Sequence, residues 1–308
     1  MRAAVYRRYG GPDVLEIVDL PEPRTHVDSV LVRVRAAGLN AADLSYQAGA
    51  MDHTVETFFP VVPGWDIAGV VERAGPAAPE FAPGDEVIGY IRGDVQRAHG
   101  GYAEQVAADV RTLFHKPANL SWAQAAALPL GGLTAYQAVR HALAVAPGET
   151  LLVHGSGGGV GSLAVQIALA TGARVLATAS TPDFGYLASL GAEPIAYGPE
   201  AAARAIELAP DGVDAVLDAA GRGALADGRG LGGPAVRVAS IADFATPGSV
   251  PVFARLVHAD LAAVVGLAEA GRLTPRVGAT YPLRDAAWAQ RAMAGGGTRG
   301  RVVLEIPG

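Results

Sequence analysis

Residues 150–172 read TLLVHGSGGGVGSLAVQIALATG, and the order of their parts decides the fold. Residues 150–154 have the apolar, β-favouring character of a strand. Five of the next seven are glycine, and residues 158–171 make an apolar helix-forming run that stops before Gly172. Glycine lets the backbone turn sharply and approach a ligand closely. The first turn of the helix adds N–H groups that have no acceptor within the helix, together with the positive end of its dipole. Such a turn can cradle a pyrophosphate. The strict Gly-x-Gly-x-x-Gly spacing fails because position 156 is serine, which leaves Gly155-x-x-Gly158-x-x-Gly161. A glycine cluster alone is more often just a turn. Here a second strand follows at 174–179, so the order strand, turn, helix, strand makes Ser156, Gly158, Gly159, Val160 and Gly161 the expected dinucleotide contacts.

The alternation continues downstream. A short helix over 184–190 stops before Gly191, and strands at 194–196, 215–218 and 235–240 flank a helix over 201–208. This pattern predicts an α/β fold with a doubly wound parallel sheet and helices on both faces. Residues 250–256 make a further strand that Pro251 demotes to an edge. The strand ends carry the next expectations, because ligands of such sheets gather at the carboxyl edge. Ala219, Ser240 and Ile241 end two strands and are expected cofactor neighbours. The strand at 174–179 runs into Ser180 with no carboxylate before Asp183. An NAD site usually has an acid here to hold the ribose hydroxyls, so Ser180, with Tyr197 as a second candidate, favours the 2′-phosphate of NADPH. No Arg or Lys stands beside either residue.

Upstream the chain has a different character. Short strands at 2–6, 15–18, 29–36, 67–74 and 86–91 are separated by turns such as Gly75-Pro76 and Pro83-Gly84-Asp85. Near Pro117 the pattern becomes helical, with Ser121 as N-cap of a helix over 123–128 and a second helix over 134–145. After a helix over 260–270, the tail returns to strands at 277–281 and 301–306 around a helix over 285–293. The expected division is 1–118 plus 272–308 as one domain and 119–271 as the other.

Composition narrows the function. A formal charge of −6 with no long basic run argues against nucleic acid. No apolar run approaches the roughly 18–20 residues that span a bilayer, and arginines at positions 2, 7 and 8 occupy the place of a signal-peptide core, so a cytoplasmic protein with no membrane partner is expected. There is no cysteine, which excludes disulfides, a thiolate nucleophile and a zinc site built on Cys ligands. The seven histidines show no metal-ligand spacing, and His154, at a strand end, is expected to be a packed, hydrogen-bonded side chain.

Several ordered motifs run through the chain: MRAAVYRRYGGPDVLEIVDLP at 1–21, GLNAADL at 38–44, PGWDIAGVVERAGPAAPEFAPGDEV at 63–87, HGGYAE at 99–104, AAALPLGGLTAYQAV at 125–139 and TRGRVVLEI at 298–306. With the glycine turn, they resemble the medium-chain dehydrogenase/reductase superfamily from end to end, and most closely its zinc-free quinone oxidoreductases, relatives of zeta-crystallin. The resemblance implies a GroES-like, partly open β-barrel domain made of both chain ends. It also implies a Rossmann dinucleotide domain, with the active site in the cleft between the two. It implies a homodimer, often paired through the last strand of the nucleotide sheet. Where the metal branch carries Gly-His-Glu, this chain has Gly64-Trp65-Asp66, and tryptophan cannot ligate zinc. The implied reaction is transfer of hydride from NADPH to a quinone or an α,β-unsaturated carbonyl, since the resulting anion needs only hydrogen-bond donors.

Residue by residue, the resemblance places Asn40 near nicotinamide and substrate, although an Asn there also suits a turn. Trp65 stands at the former ligand position, as substrate wall or as core packing. Thr134 in LTAYQA is expected at the cofactor. Relatives often carry a tyrosine at the positions that are Met51 and Ser45 here. Ser45 or solvent is then left as proton donor, with Tyr46 one residue away. Asp43, Asp66 and Asp85 are expected to be structural. Two alternatives stay open: an enoyl-thioester reductase of polyketide or fatty-acid metabolism, and an NADPH-binding relative without catalysis.

Overall fold

A computed structural model describes residues 1–53, 56–91, 100–221, 223–225, 231 and 235–307, so His99 of the HGGYAE motif lies outside it. The chain forms two compact units. One comprises Met1–Leu130, Leu256–Glu269 and Thr274–Gly308, and the other Gly131–Arg255 with Ala270–Leu273.

The second unit holds a six-stranded parallel sheet in the order Glu193–Ala196, Arg174–Ala179, Thr150–His154, Ala215–Asp218, Arg237–Ser240, Val250–Pro251. In chain order this is 3-2-1-4-5-6, the doubly wound arrangement of dinucleotide-binding sheets. Helices Gly159–Thr171 and Phe184–Leu190 stop at Gly172 and Gly191, which take left-handed φ values of 92° and 98° that glycine adopts without strain. Leu152, Leu176, Ile195, Val216 and Val238 of the strands pack with Ala205 of helix Ala201–Leu208 into one core. The strand expected at 250–256 ends after Pro251. Proline offers no N–H, and beyond Val252, whose amide still reaches the Ser240 carbonyl at 2.8 Å, the chain leaves the sheet. Gln137 then holds it by donating to the Arg255 carbonyl (2.8 Å) and accepting from the Arg255 amide (2.9 Å).

The first unit is built on a mostly antiparallel seven-stranded sheet. Its central strand, Ser29–Gly38, pairs with Asp66–Ala74 along one edge. Its other edge is shared by Gln105–Asp109 over residues 29–33 and by Arg301–Glu305 over residues 36–38. Register shifts near Leu31/Val32 and Val34/Ala36 kink this strand, as bulges do where a sheet curls. Val30, Val32, Val34, Val71, Val87 and Leu304 join Ala3, Ala4 and Val5 of a separate two-stranded ribbon in the core. Strands Gln105–Asp109 and Leu113–His115 and helix Ala41–Gln47 have no counterpart in the sequence expectations. The second helix also begins earlier than expected, at Pro129, a favourable first helical residue. After Gln137 it passes into a wider π-type turn over Ala138–Ala142. Among the described residues no helix is long and apolar enough to cross a membrane.

Candidate functional site

In the second unit the 155–161 turn is tightly interlocked. Gly155 has φ +73°, and a Cβ on it would lie 3.0 Å from the Ala219–Ala220 peptide. A Cβ on Gly161 would stand 2.2 Å from the Gly155 carbonyl oxygen, so helix and turn meet backbone to backbone. The first helical hydrogen bond runs from the Ser162 amide to the Gly158 carbonyl (3.1 Å), which leaves the amides of Gly159, Val160 and Gly161 without intrahelical acceptors. Gly158, the N-cap, brings no side chain to cover them. These features fit a pyrophosphate. Ser156 departs from the glycine fingerprint without obstructing it, because the residue is fully buried and its hydroxyl turns back to the Val153 carbonyl (2.8 Å).

The other residues expected at the cofactor lie around the same sheet edge or on helix Pro129–Gln137. The Ser180 hydroxyl donates to Oδ2 of the buried Asp183 at 2.7 Å, and that carboxylate stands where a Cβ on Gly157 would be. Tyr197 follows the edge strand, its amide bonded to the Ala179 carbonyl and its ring mostly exposed. The Ser240 hydroxyl is engaged internally with Asp218, and Ile241 and Ala219 are held by backbone bonds to Asp218 and His154. Thr134 is buried on helix Pro129–Gln137. His154 is buried, with Nδ1 3.2 Å from the Thr178 hydroxyl.

In the first unit the expected residues divide. Trp65 is buried, with the half-buried Tyr46 edge-on at 4.9 Å between ring centroids and Tyr90 at 6.1 Å. Ser45, one residue earlier on the same helix, is exposed and donates to the Ala41 carbonyl of its own turn. Asn40 caps that helix, and its amide is engaged at both ends. Nδ2 donates to Asp66 Oδ2 (3.0 Å), while Oδ1 accepts from Arg301 (2.7 Å). Arg301 also reaches Asp66 Oδ2 at 2.9 Å, and Asp66 Oδ1 accepts from the Leu130 amide. Asp43 accepts from the Asn40 amide and the Tyr102 hydroxyl.

Both carboxylates are fully enclosed. Burial pushes Asp43 up to about 7, against the pull of the Asn40 amide and the Tyr102 hydroxyl. Burial likewise pushes Asp66 up to about 6, opposed chiefly by the Arg301 charge. Asp66 and Asp85 are both structural, as expected, but in different ways. Asp85 does close a turn, through the Ala82 amide, whereas Asp66 opens a strand and anchors a network whose cation lies 235 positions away. Nothing local in the sequence signals that partnership. The donor set does not suit zinc either: an indole replaces the histidine ligand, Asp66 is committed to Arg301 and Asn40, and the chain has no cysteine.

Two family models match the chain, the alcohol dehydrogenase GroES-like domain over residues 26–118 and the zinc-binding dehydrogenase domain over residues 190–304. A 2-methylene-furan-3-one reductase from Solanum lycopersicum is 39% identical over 230 residues, 72% of this chain and 58% of that protein. A quinone oxidoreductase from Homo sapiens is 38% identical over 186 residues, covering 59% of this chain and 54% of that one. An NADPH-dependent alkenal/one oxidoreductase from Arabidopsis thaliana is 38% identical over 228 residues, 72% and 58% of the two chains. The chain thus spans just over half the length of these curated relatives. Among solved structures, an NAD-dependent alcohol dehydrogenase superposes over the whole of both chains with a TM-score of 0.89 and 33% identity.

Proposed function

Because the chain belongs to the medium-chain dehydrogenase/reductase superfamily, in its quinone oxidoreductase branch, we propose that it is an NADPH-dependent oxidoreductase acting on a quinone or an α,β-unsaturated carbonyl. The observation that carries this reading is the 155–161 turn, closed backbone to backbone, with three helix amides left to bind an anion. Gly158, Gly159, Val160 and Gly161 then hold the pyrophosphate. Ser180 and Tyr197 face the adenosine end, and Thr134 and the 219–221 and 241–243 turns face the nicotinamide. When bound, NADPH supplies a hydride.

On the substrate side, the buried Trp65 ring backs Tyr46. Tyr46, against it, offers a phenolic hydroxyl able to hydrogen-bond the oxygen of an enone or quinone as negative charge develops there. Tyr46, not Ser45, is therefore the donor we assign, since the Ser45 hydroxyl is spent on its own helix. Asn40 acts by holding Asp66 and Arg301 in place. The reading extends to a homodimer, supported by the exposed Phe244 and Phe253, stacked at 4.3 Å in the segments flanking the edge strand.

The test follows NADPH oxidation by purified, metal-free protein across a panel of quinones, enones and enoyl thioesters. Turnover of quinones or enones supports the proposal. Preference for the thioesters would move the substrate class, and oxidation by no acceptor would overturn it.

A further inference from the structure

Asp218 ends the strand Ala215–Asp218 and is completely buried. In the sheet register it stands level with His154 on one side and Ser240 on the other, the last residues of the two neighbouring strands. Three turns leave the carboxyl edge at this level. The first begins at Gly155, the second runs over 219–221 and the third over 241–243. Each meets the next closely: Gly155 packs on the Ala219–Ala220 peptide, and a Cβ on Gly221, at φ +65°, would be 3.2 Å from Ala242 Cβ.

The carboxylate divides its two oxygens between the turns. Oδ1 accepts from the amides of Ala220 (2.9 Å) and Gly221 (2.8 Å), while Oδ2 accepts from the Ser240 hydroxyl (2.8 Å). That hydroxyl in turn accepts from the amides of Ala242 (3.0 Å) and Asp243 (2.8 Å). A serine hydroxyl has one hydrogen and two lone pairs, and here all three are used. The pair Asp218–Ser240 therefore ties four backbone amides of two loops to one point at the ligand-bearing edge.

Burying a carboxylate among neutral donors is costly compared with an amide or an apolar side chain, unless acceptors are needed on both of its oxygens. This arrangement needs both. Asparagine could keep the Ala220 and Gly221 bonds, but it would aim an N–H at a hydroxyl whose lone pairs are already taken.

We propose that Asp218, acting through Ser240, is the positioning residue that fixes the 219–221 and 241–243 turns against the nicotinamide end of the cofactor; this rests on the dinucleotide reading of the site. Asp218 is fully buried, with both oxygens taken by protein donors. It sets the shape of the two loops, while the pyrophosphate cradle at 158–161 stands apart from its hydrogen bonds. The cofactor is thereby gripped at two places, and the hydrogen bonds of this carboxylate reach only one of them directly.

Three variants test the assignment: Asp218→Asn, Ser240→Ala and the double substitution, each read with NADPH and with 2′-phospho-ADP-ribose, which has the adenosine and pyrophosphate but no nicotinamide. In Asp218→Asn the Kd for NADPH should rise about tenfold and kcat fall by about tenfold, with the fragment Kd within about twofold of wild type. Ser240→Ala should give a similar pattern with less risk to folding. The double variant should lose about as much as one single variant rather than the product of the two, because both break the same link. Hydrogen exchange supplies a readout that needs no ligand: the Ala242 and Asp243 amides should exchange faster in both single variants, with Gly159–Gly161 unchanged. The assignment fails if NADPH Kd and kcat stay within about twofold in both single variants, or if the fragment weakens as much as NADPH. It also fails if the two effects multiply. If wild-type protein binds neither the fragment nor NADPH, the dinucleotide reading itself has failed.

Discussion

Ser45 and Tyr46 are neighbours in sequence and differ in environment, one exposed and bonded to its own helix, the other half-buried against Trp65. Steady-state kinetics with an enone should show Tyr46→Phe lowering kcat about 100-fold or more, the usual weight of a positioned proton donor, and by at least about tenfold more than Ser45→Ala. Equal losses would remove Tyr46 from that role. Asp183 carries a second prediction. Its carboxyl lies at the Ser180 hydroxyl and beside Gly157, so if the 2′-phosphate binds at Ser180 as proposed, negative charge there would oppose it. Asp183→Asn should raise kcat/KM for NADPH about 3–10-fold without raising it for NADH, a gain of roughly 1 kcal/mol. An equal gain with both cofactors would show that the charge is not sensed at that phosphate. Features that follow from local backbone chemistry, such as the tight glycine turn at 155–161 and the turn closed by Asp85, were legible in the sequence. Arg301, Asp66 and Asn40 were not read as a network, because their meaning lies in contacts across 26 and 235 positions.

At the scale of elements, the helix over Gly159–Thr171 and its turn form one device, closed by the approach of Gly161 to the Gly155 carbonyl. Gly161→Ala places a methyl 2.2 Å from a backbone oxygen that cannot swing away, whereas a Cβ on Gly158 finds the same oxygen at 3.2 Å. Isothermal titration should show NADPH affinity falling at least about 100-fold in Gly161→Ala and about tenfold or less in Gly158→Ala, with about 2–4 kcal/mol lost by overpacking and strain in the first. Comparable affinities in the two variants would dissociate the turn from binding. The strand–helix alternation of this unit was readable because glycines mark its helix ends and β-branched or leucine-rich runs its strands. Gln105–Asp109 escaped notice because alanines carry little strand signal and its order comes from pairing with Ser29–Arg33. The edge strand came out shorter than its composition suggested, since Pro251 cannot extend the ladder.

For the molecule as a whole, the enclosed Asp43 and Asp66 link stability to pH. Unfolded, both titrate near 4; folded, they are raised to about 7 and about 6. Between those values the folded state binds more protons than the unfolded one, so this contribution is full below about pH 4, falls as pH rises and is gone above about pH 7. Thermal melts between pH 5 and 7.5 should show a decline in Tm that is shallower by a few degrees in Asp43→Asn, as ~1 kcal/mol produces in a domain-sized chain. Parallel slopes would refute the linkage. The strands at both chain ends were legible in the sequence, but the sharing of one strand edge between Gln105–Asp109 and Arg301–Glu305 was not. That sharing has a consequence for biosynthesis. Residues 36–38 wait for their partner until residue 305 is made, and Gln47 waits for its paired amide at Gln290. At ribosomal rates the delay from residue 38 to residue 301 is roughly 10–50 s. Through that interval the nascent chain carries a strand edge still open to mispairing, and near its end the second unit is complete while that edge is not. Slow synthesis or a scarcity of chaperones would therefore damage this protein first at its amino-terminal sheet, long before any fault showed in the glycine turn.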